Sequence, residues 1–525
     1  MSKTFGMIGG GGGIKLTGIE ITTPPAKTTY TAGETFDPAG MVVEATYSNG
    51  ATLIATGYAV EPSGALTDGT TAVTIRYTEG GVTKTAEQAI TVSKAAGSLS
   101  ISPTSIALNK TNPTGEIIVD RAGDGAISAV SSAPDIAEVS VSGNIVTVTG
   151  KASGNVTITI SVAEGTNHTA PASKTCAVTV QFINIYGVQW DGTSTTALAR
   201  TDDAALFVDP VPAVGTGNGS SPFDSRLPWS GMTKVTDGNN VLVAIPKFWV
   251  KVTHSPFKVQ IADQAIDGFQ VSPAHRDRGD GVGERDVVYI GRYECNSSYQ
   301  SRTGQSPKVN ISLSSFRSGI KALGTGYYQA DFALQLTLWY LYLVEFANWN
   351  SQSKIGHGNV DSGSVINTGG TDSMTYHTGR AAGTDGNVAI QYRNIENWWG
   401  NVFEWRDGII FSGENICTYN NPSNFVDTYN GTGATVRSNT RATRSGRIKA
   451  WGHDSSDNSF IYPNTVGGSA TTYVPDYCDY GSGVRGLCVG GHFNSGTDAG
   501  LFCLNGIIVP SGKNFALGSR LQKLP

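Results

Sequence analysis

Between residues 15 and 182 the chain is a succession of short runs in which apolar and polar residues alternate. A period of two puts every second side chain on one face, so each run reads as a half-buried strand. Ile19-Glu20-Ile21-Thr22, Met41 to Tyr47, Ala72 to Tyr77 and Gln88 to Val92 are such runs. Pro24-Pro25, Ala32-Gly33-Glu34, Ser48-Asn49-Gly50 and Glu79-Gly80-Gly81 punctuate them, and Asn-Gly and Gly-Gly supply the positive φ angles of tight hairpins. About seven strands in about 80 residues predict a small β-sandwich over 15–94. Composition agrees, because only 15% of residues are charged and 66 are glycine, which favours short strands and many turns over long helices.

This first segment has no Cys…Trp…Cys pattern, which excludes an antibody-type domain. Its stretches Thr17 to Ile21, Tyr30 to Asp37 and Val43 to Gly50 resemble the bacterial immunoglobulin-like domains of surface and phage proteins. Residues 95–183 form a second unit of similar length, running through Leu99-Ser100-Ile101-Ser102-Pro103, Ala137-Glu138-Val139 and Val146-Thr147-Val148-Thr149-Gly150. It resembles the invasin/intimin-type bacterial immunoglobulin repeat. Ala137 and Val139 keep the family phrase, while Ile145 stands as an extra residue between Gly143 and Val146. Two sandwiches in series imply a spacer. Ahead of them, residues 1–14 with Gly9 to Gly13 predict a flexible tether. No apolar core of a secretory signal occurs there, so no export signal is expected.

Residues 184–525 differ. All nine tryptophans lie here, beginning at Trp190. Ser312 to Leu323 predicts a short helix. Asp331 to Ser351 predicts a longer one, capped by Asp331, with Leu334, Leu338, Leu341 and Phe346 on an apolar stripe beside Trp339 and Tyr342. Ala244 to Val252 predicts one strand. The longest apolar run, Leu336 to Val344, is too short to cross a bilayer, so no membrane insertion is expected. A net charge of −5 gives no basic surface for nucleic acid. Six cysteines in 525 residues, with no CxxC, predict mostly free thiols and assembly in a reducing cytoplasm.

Three segments of this last part are informative in order: Ala244 to Val252, followed later by Val288 to Glu294; Asn397 to Gly408 (reading Gly400-Asn401-Val402-Phe403-Glu404-Trp405); and Gly483 to Leu521. They resemble the C-type-lectin-like fold of the formylglycine-generating-enzyme type, which also serves as the variable protein of diversity-generating retroelements. The resemblance implies a fold that is mainly β with a minor α component: two immunoglobulin-like sandwiches, then a C-type-lectin-like α+β domain. It implies a variable region at about 484–521, and a phage tail adhesin made in the host cytoplasm and carried on the virion, or else a bacterial-surface protein. The implied partners are a bacterial cell-surface receptor, protein or glycan, and other tail proteins bound through the N-terminal region. Tail adhesins of this kind are often trimeric, so a homo-oligomer is implied. The alternative is a fixed structural virion or surface protein without a diversified site.

Within the variable region, Gly490, Gly491, Gly500 and Gly518 can set backbone shape, and Arg485 and Arg520 can anchor it. Between them Cys488, His492, Phe493, Asn494, Asp498, Cys503, Leu504, Asn505, Ile507 and Ile508 follow no strand or loop pattern. A mixed apolar and polar string suits a contact surface, and these ten are the expected ligand-binding residues. No enzyme is expected. The oxygen-dependent enzyme of the resembling fold holds copper with two cysteines five positions apart, and if Cys503 matches the second, the first falls on Asp498. The seven histidines show no metal-site spacing, and no nucleophile elbow or P-loop occurs. Glu404 and Asp407 show no sugar cleft between them, and Trp398, Trp399 and Trp405 are expected in the core. The acidic loop His275 to Asp286 could offer Asp277, Asp280 and Glu284 to calcium, but its three arginines compete, so a solvated loop and no cofactor are expected. Its Arg278-Gly279-Asp280 spells a cell-adhesion tripeptide by chance.

Overall fold

The computed structural model describes residues 13–438 and 440–525, so the predicted tether lies outside the described residues except for residues 13 and 14. The chain divides into two compact units, Met1–Phe182 and Ile183–Pro525, and it is mainly β.

In the first unit, residues 13–93 form two three-stranded sheets and a short parallel pair. One sheet orders Leu16–Thr23, Val42–Tyr47 and Thr52–Ile54, the other Ala59–Glu61, Ala72–Glu79 and Val82–Ala89. Thr29–Thr31 runs parallel to Thr91–Ser93. The alternation does what its period predicts: Val43, Ala45, Val73 and Ile75 are buried and pack with Leu16, Tyr30, Leu66 and Val92. Residues 98–181 form a sandwich of two four-stranded sheets around Ile117, Val119, Val146, Val148, Ile158, Ile160 and Val178. Ile145, the extra residue, opens the strand Ile145–Gly150 and pairs with Ser142 across a turn in which Gly143 has φ +57°.

The second unit places two five-stranded sheets, one four-stranded sheet and one nine-stranded sheet around a helix. The helix α1, Leu313–Lys321, is capped by Ser312, whose Oγ accepts from the Ser315 N–H at 3.3 Å. The helix α2, Phe332–Phe346, is capped by Asp331, which accepts from the Leu334 N–H at 2.9 Å. Every residue of α2 except Ala333 is buried, so the expected stripe is replaced by a helix that is covered all round. Its polar atoms are therefore used internally: the Trp339 Nε1–H donates to Leu501 O at 2.9 Å, and Leu341 O accepts from Trp229 Nε1–H at 3.1 Å. The helix also stops short of Ser351. Ala347 takes a left-handed conformation at φ 48°, and Asn350 caps a separate short helix α3, Ser351–Ile355. The single strand expected over Ala244 to Val252 is two strands in different sheets, Asn240–Pro246 and Trp249–His254. Pro246, which lacks an N–H to continue the ladder, stands at the break.

The acidic loop is not simply solvated. Arg278 is 1% exposed, bonded to Asp331 at 2.5 Å and to Asn420 O at 2.7 Å, so the adhesion tripeptide is not presented. Arg285 is also buried and takes Asp280 at 2.6 Å, while Glu284 lies 3.8 Å from Lys247. Among the described residues no group of three or more His, Cys, Asp or Glu side chains is placed to hold a metal ion. All six cysteines are free and buried.

Candidate ligand-binding face

The Val288 to Glu294 stretch that follows the first informative segment meets the second and third at one buried cluster. Leu517–Ser519 runs parallel to Phe403–Trp405, and Leu521–Lys523 pairs with Val287–Gly291. Arg520 sits between those two strand pairs. Its guanidinium donates to Glu404 at 2.7 and 3.0 Å, to Gly291 O at 2.8 Å, to Arg292 O at 2.6 Å and to Glu396 O at 2.7 Å. Glu404 also accepts from Arg406 at 2.8 Å. Burial opposes the charge on Glu404, but the two guanidinia outweigh it and hold the carboxyl below its usual range. Trp398, Trp399 and Trp405 are buried against this cluster's strands, as core. Asp407 is buried as well and takes both nitrogens of Arg317 at 2.6 and 2.8 Å, so neither carboxylate faces a sugar cleft.

Glu294, which ends the Val288 to Glu294 stretch, has no such cation to itself. Burial, reinforced by the Glu404 carboxylate against the pull of Arg520, pushes its carboxyl up from 4.5 to about 8. Between those values the folded chain keeps a proton that the unfolded chain has released, so this group's contribution to stability falls as pH rises through that window. Glu294→Gln keeps the acceptor for Asn401 Nδ2, which bonds Glu294 at 2.9 Å. The variant is expected to melt higher than the parent at pH 8 and to lose less midpoint between pH 5 and pH 8; parallel pH profiles for the two proteins would count against the assignment.

The same cluster carries the loop after Val484–Val489. Asn401 is the staple: its Nδ2 also donates to Ile366 O, and its Oδ1 accepts from Asn359 and from the Ile366 N–H. Its carbonyl takes the Phe493 N–H at 3.2 Å. Gly491 has φ +80°, and a Cβ there would lie 2.6 Å from the Ala499 Cβ, so glycine is required for the turn. Farther on, Gly500 at φ +146° lets the buried Asp476 carboxylate reach the Phe502 N–H at 2.6 Å. Asp498 is half-buried and held by Arg447 at 2.6 Å. The backbone of this loop is thus fixed largely by groups beneath it, while the His492 ring on its outer side also accepts from the Asn494 N–H at 3.2 Å.

A chain of aromatic rings runs from beneath this loop, through the buried Phe493, out to its surface at Phe515. Phe403 and His492 are 5.2 Å apart, His492 and Phe493 5.2 Å, and Phe493 and Phe515 6.0 Å. Phe515 is 66% exposed, Asn494 is exposed and His492 half-buried. Phe515 was not among the expected residues. Its signal was present, since it follows Ser511-Gly512-Lys513-Asn514, a turn that buries nothing.

Of the ten expected contact residues, the structure exposes Asn494 and Ile507 and leaves His492, Asp498 and Ile508 half-buried. Cys488, Phe493, Cys503, Leu504 and Asn505 are buried, which corrects their assignment as surface contacts. The reason is the sheet. Leu504–Gly506 lies between Tyr477–Tyr480 on one side and Val484–Val489 on the other. A central strand covered on both faces shows no alternation, so its irregular sequence marked the core and not a contact surface. Cys488 pairs with Trp405 and Asn505 in that sheet, and the Asn505 amide donates to Asp479 at 3.0 Å. Burial pushes the thiols of Cys488 and Cys503 well above their ordinary range, which makes both unreactive. Of the two expected anchors, Arg520 serves fully, while Arg485 donates only to the neighbouring Val484 O at 2.9 Å.

Comparison with known proteins adds a family to one segment. No curated protein matches the chain. Among solved structures, domains 4 and 5 of the S-layer protein SbsC align at 19% identity over 32% of this chain and 98% of that one, with a TM-score of 0.17. The U1 variant of the Major Tropism Determinant aligns at 11% identity over 70% of this chain and 81% of that one, with a TM-score of 0.23. Invasin, described as a bacterial integrin-binding protein, aligns at 11% identity over 96% of this chain and 99% of that one, also with a TM-score of 0.23. Scores this low assign no fold to the whole chain. Residues 23–92 match the bacterial Ig-like domain (group 3), so the family likeness that is shown belongs to the first sandwich of the chain.

Proposed function

We propose that the chain is a displayed binding protein and not an enzyme: a phage tail adhesin in which two immunoglobulin-like sandwiches space a C-type-lectin-like domain away from its attachment. Its C-terminal face engages a receptor on the bacterial surface, and its N-terminal region joins other tail proteins on the virion. The observation that carries this reading is the exposed Phe515, together with Asn494 and His492, on a loop whose backbone is held from beneath by the Asn401 carbonyl and by Arg447 on Thr497 O. An exposed aromatic anchor beside adaptable polar groups is the composition of a recognition surface. Such a backbone also tolerates replacement of the outward side chains, which is what a diversified variable region requires. In this reading the diversified positions are the outward residues of 484–521, including Asn494, Ile507 and Phe515, and not the buried ones. The reading includes a homo-oligomer. Leu206 (96% exposed), Val208, Val211 and Val214 leave an aliphatic strip open on the second unit, of a kind that subunits cover. Sedimentation of the full chain tests this, and a monomer at micromolar concentration would refute it.

The experiment for the face is binding of fluorescently labelled full chain to a panel of bacterial strains. Phe515→Ala combined with Asn494→Ala should weaken binding to a responsive strain by roughly tenfold or more while the melting midpoint stays put. Unchanged binding would place the contact elsewhere. Sequencing the encoding locus in related isolates gives an independent check, because an invariant 484–521 segment with no near-copy favours a fixed structural component.

A further inference from the structure

A cavity of about 310 Å³ opens beside the first turns of α2, within the second unit and built from residues outside the loop that carries Asn494 and Phe515. One wall is carbon: Phe332, Tyr419 and Phe460. Leu336 and Ala333 add further carbon, and the polar lining comes from Arg276, Arg437, Asp457, Ser459, Thr435 and Asp277 of the acidic loop. The two arginines behave differently. Arg276 is fully engaged, donating to Val271 O at 2.9 Å, Gln270 at 2.9 Å, Ser459 at 2.6 Å and Asp457 at 2.8 Å. Arg437 is not. Its Nε donates to Thr418 at 2.8 Å and its guanidinium lies 4.7 Å above the Phe460 ring, but its Nη1 is 3.5 Å from Asp457 and 3.8 Å from Asp454. Those separations are too long for strong hydrogen bonds, so the guanidinium keeps donor capacity for a ligand.

Charge decides which ligand. Arg276 and Arg437 are matched by Asp457 and Asp454, and Asp277 adds a further carboxylate at the rim. A site without net positive charge does not favour an anion. It offers donors at Arg437, acceptors at Asp277, a hydroxyl that does both at Thr435, and aromatic carbon from Phe332, Tyr419 and Phe460. A neutral pyranose has that pattern, with a ring of hydroxyls that donate and accept and a C–H face that lies on aromatic carbon. The volume stands at the lower end of small-molecule sites. We propose that this cavity is a binding site for a single neutral sugar residue of a glycan, separate from the C-terminal face and independent of the receptor-binding reading.

The test is calorimetric titration of the full chain with methyl glucoside, methyl galactoside and N-acetylglucosamine, alongside glucuronic acid and glucose 6-phosphate. At least one neutral sugar should bind saturably, and more tightly than either charged sugar. Thr435→Val and Asp277→Asn change exposed side chains and should each weaken that binding roughly three- to tenfold with an unchanged melting midpoint. Arg437→Met removes the guanidinium while keeping an unbranched side chain, and should weaken it at least as much. Phe515→Ala should leave it unaltered. The proposal is overturned if no neutral sugar binds saturably, if a charged sugar binds tighter, if the Thr435 and Asp277 variants bind like the parent, or if Phe515→Ala abolishes the binding.

Discussion

Arg520→Met is expected to unfold the C-terminal unit under conditions in which the parent is stable. The guanidinium is completely buried and joins three segments far apart in the chain, through Glu404, Gly291 O, Arg292 O and Glu396 O. Methionine fills a similar volume but leaves Glu404 with Arg406 alone, and it leaves carbonyls without donors. Removing one partner from a buried pair costs about 3–5 kcal/mol. That is a large part of the roughly 5–15 kcal/mol that holds a domain together. All nine tryptophans lie in this unit, so indole fluorescence during urea unfolding reports on it and not on the sandwiches. The midpoint should drop sharply. A variant that unfolds at the parent's urea concentration would show that the buried pair is dispensable.

Leu504→Ala is expected to destabilise the same unit by about 2–5 kcal/mol, the range for truncating a fully buried leucine. The side chain is packed in the central strand of the nine-stranded sheet, with neighbours on both sides. Any loss of cell binding in this variant should track the loss of folded protein and disappear when binding is normalised to the folded fraction. Phe515→Ala should do the reverse, staying within about 0.5 kcal/mol of the parent in stability while losing binding. If Leu504→Ala melted like the parent and yet failed to bind, Leu504 would be a contact after all.

The contrast between those two residues shows where the chain was legible from its sequence. Local rules read well. The period-two runs Val43/Ala45 and Val73/Ile75 became inward faces, Asp331 became the helix cap its position predicted, and the short helix expected from Ser312 starts there. The order of the informative segments was legible through their family resemblance, and the structure shows that Glu294, Glu404 and Arg520 are what bring them together. Leu504 was misread because its strand is flanked on both sides and covered on both faces, which is a property of the assembled sheet. Phe515, in contrast, lies in a turn whose residues the sequence did mark. Arg278 illustrates the point from the polar side: a loop rich in charge reads as solvated until Asp331, 53 residues away in sequence, is brought to it.

By itself, then, the amino-acid sequence determined the alternation of strands and turns, the helix starts and the shift to an aromatic-rich last part. These depend on neighbours a few positions apart or on composition. Only the tertiary structure decided which face of the C-terminal segment meets solvent, that α2 is enclosed on all sides, and that Arg437 and Asp277 share a cavity with aromatic carbon. Those outcomes rest on contacts between residues up to hundreds of positions apart, and no local period carries that information.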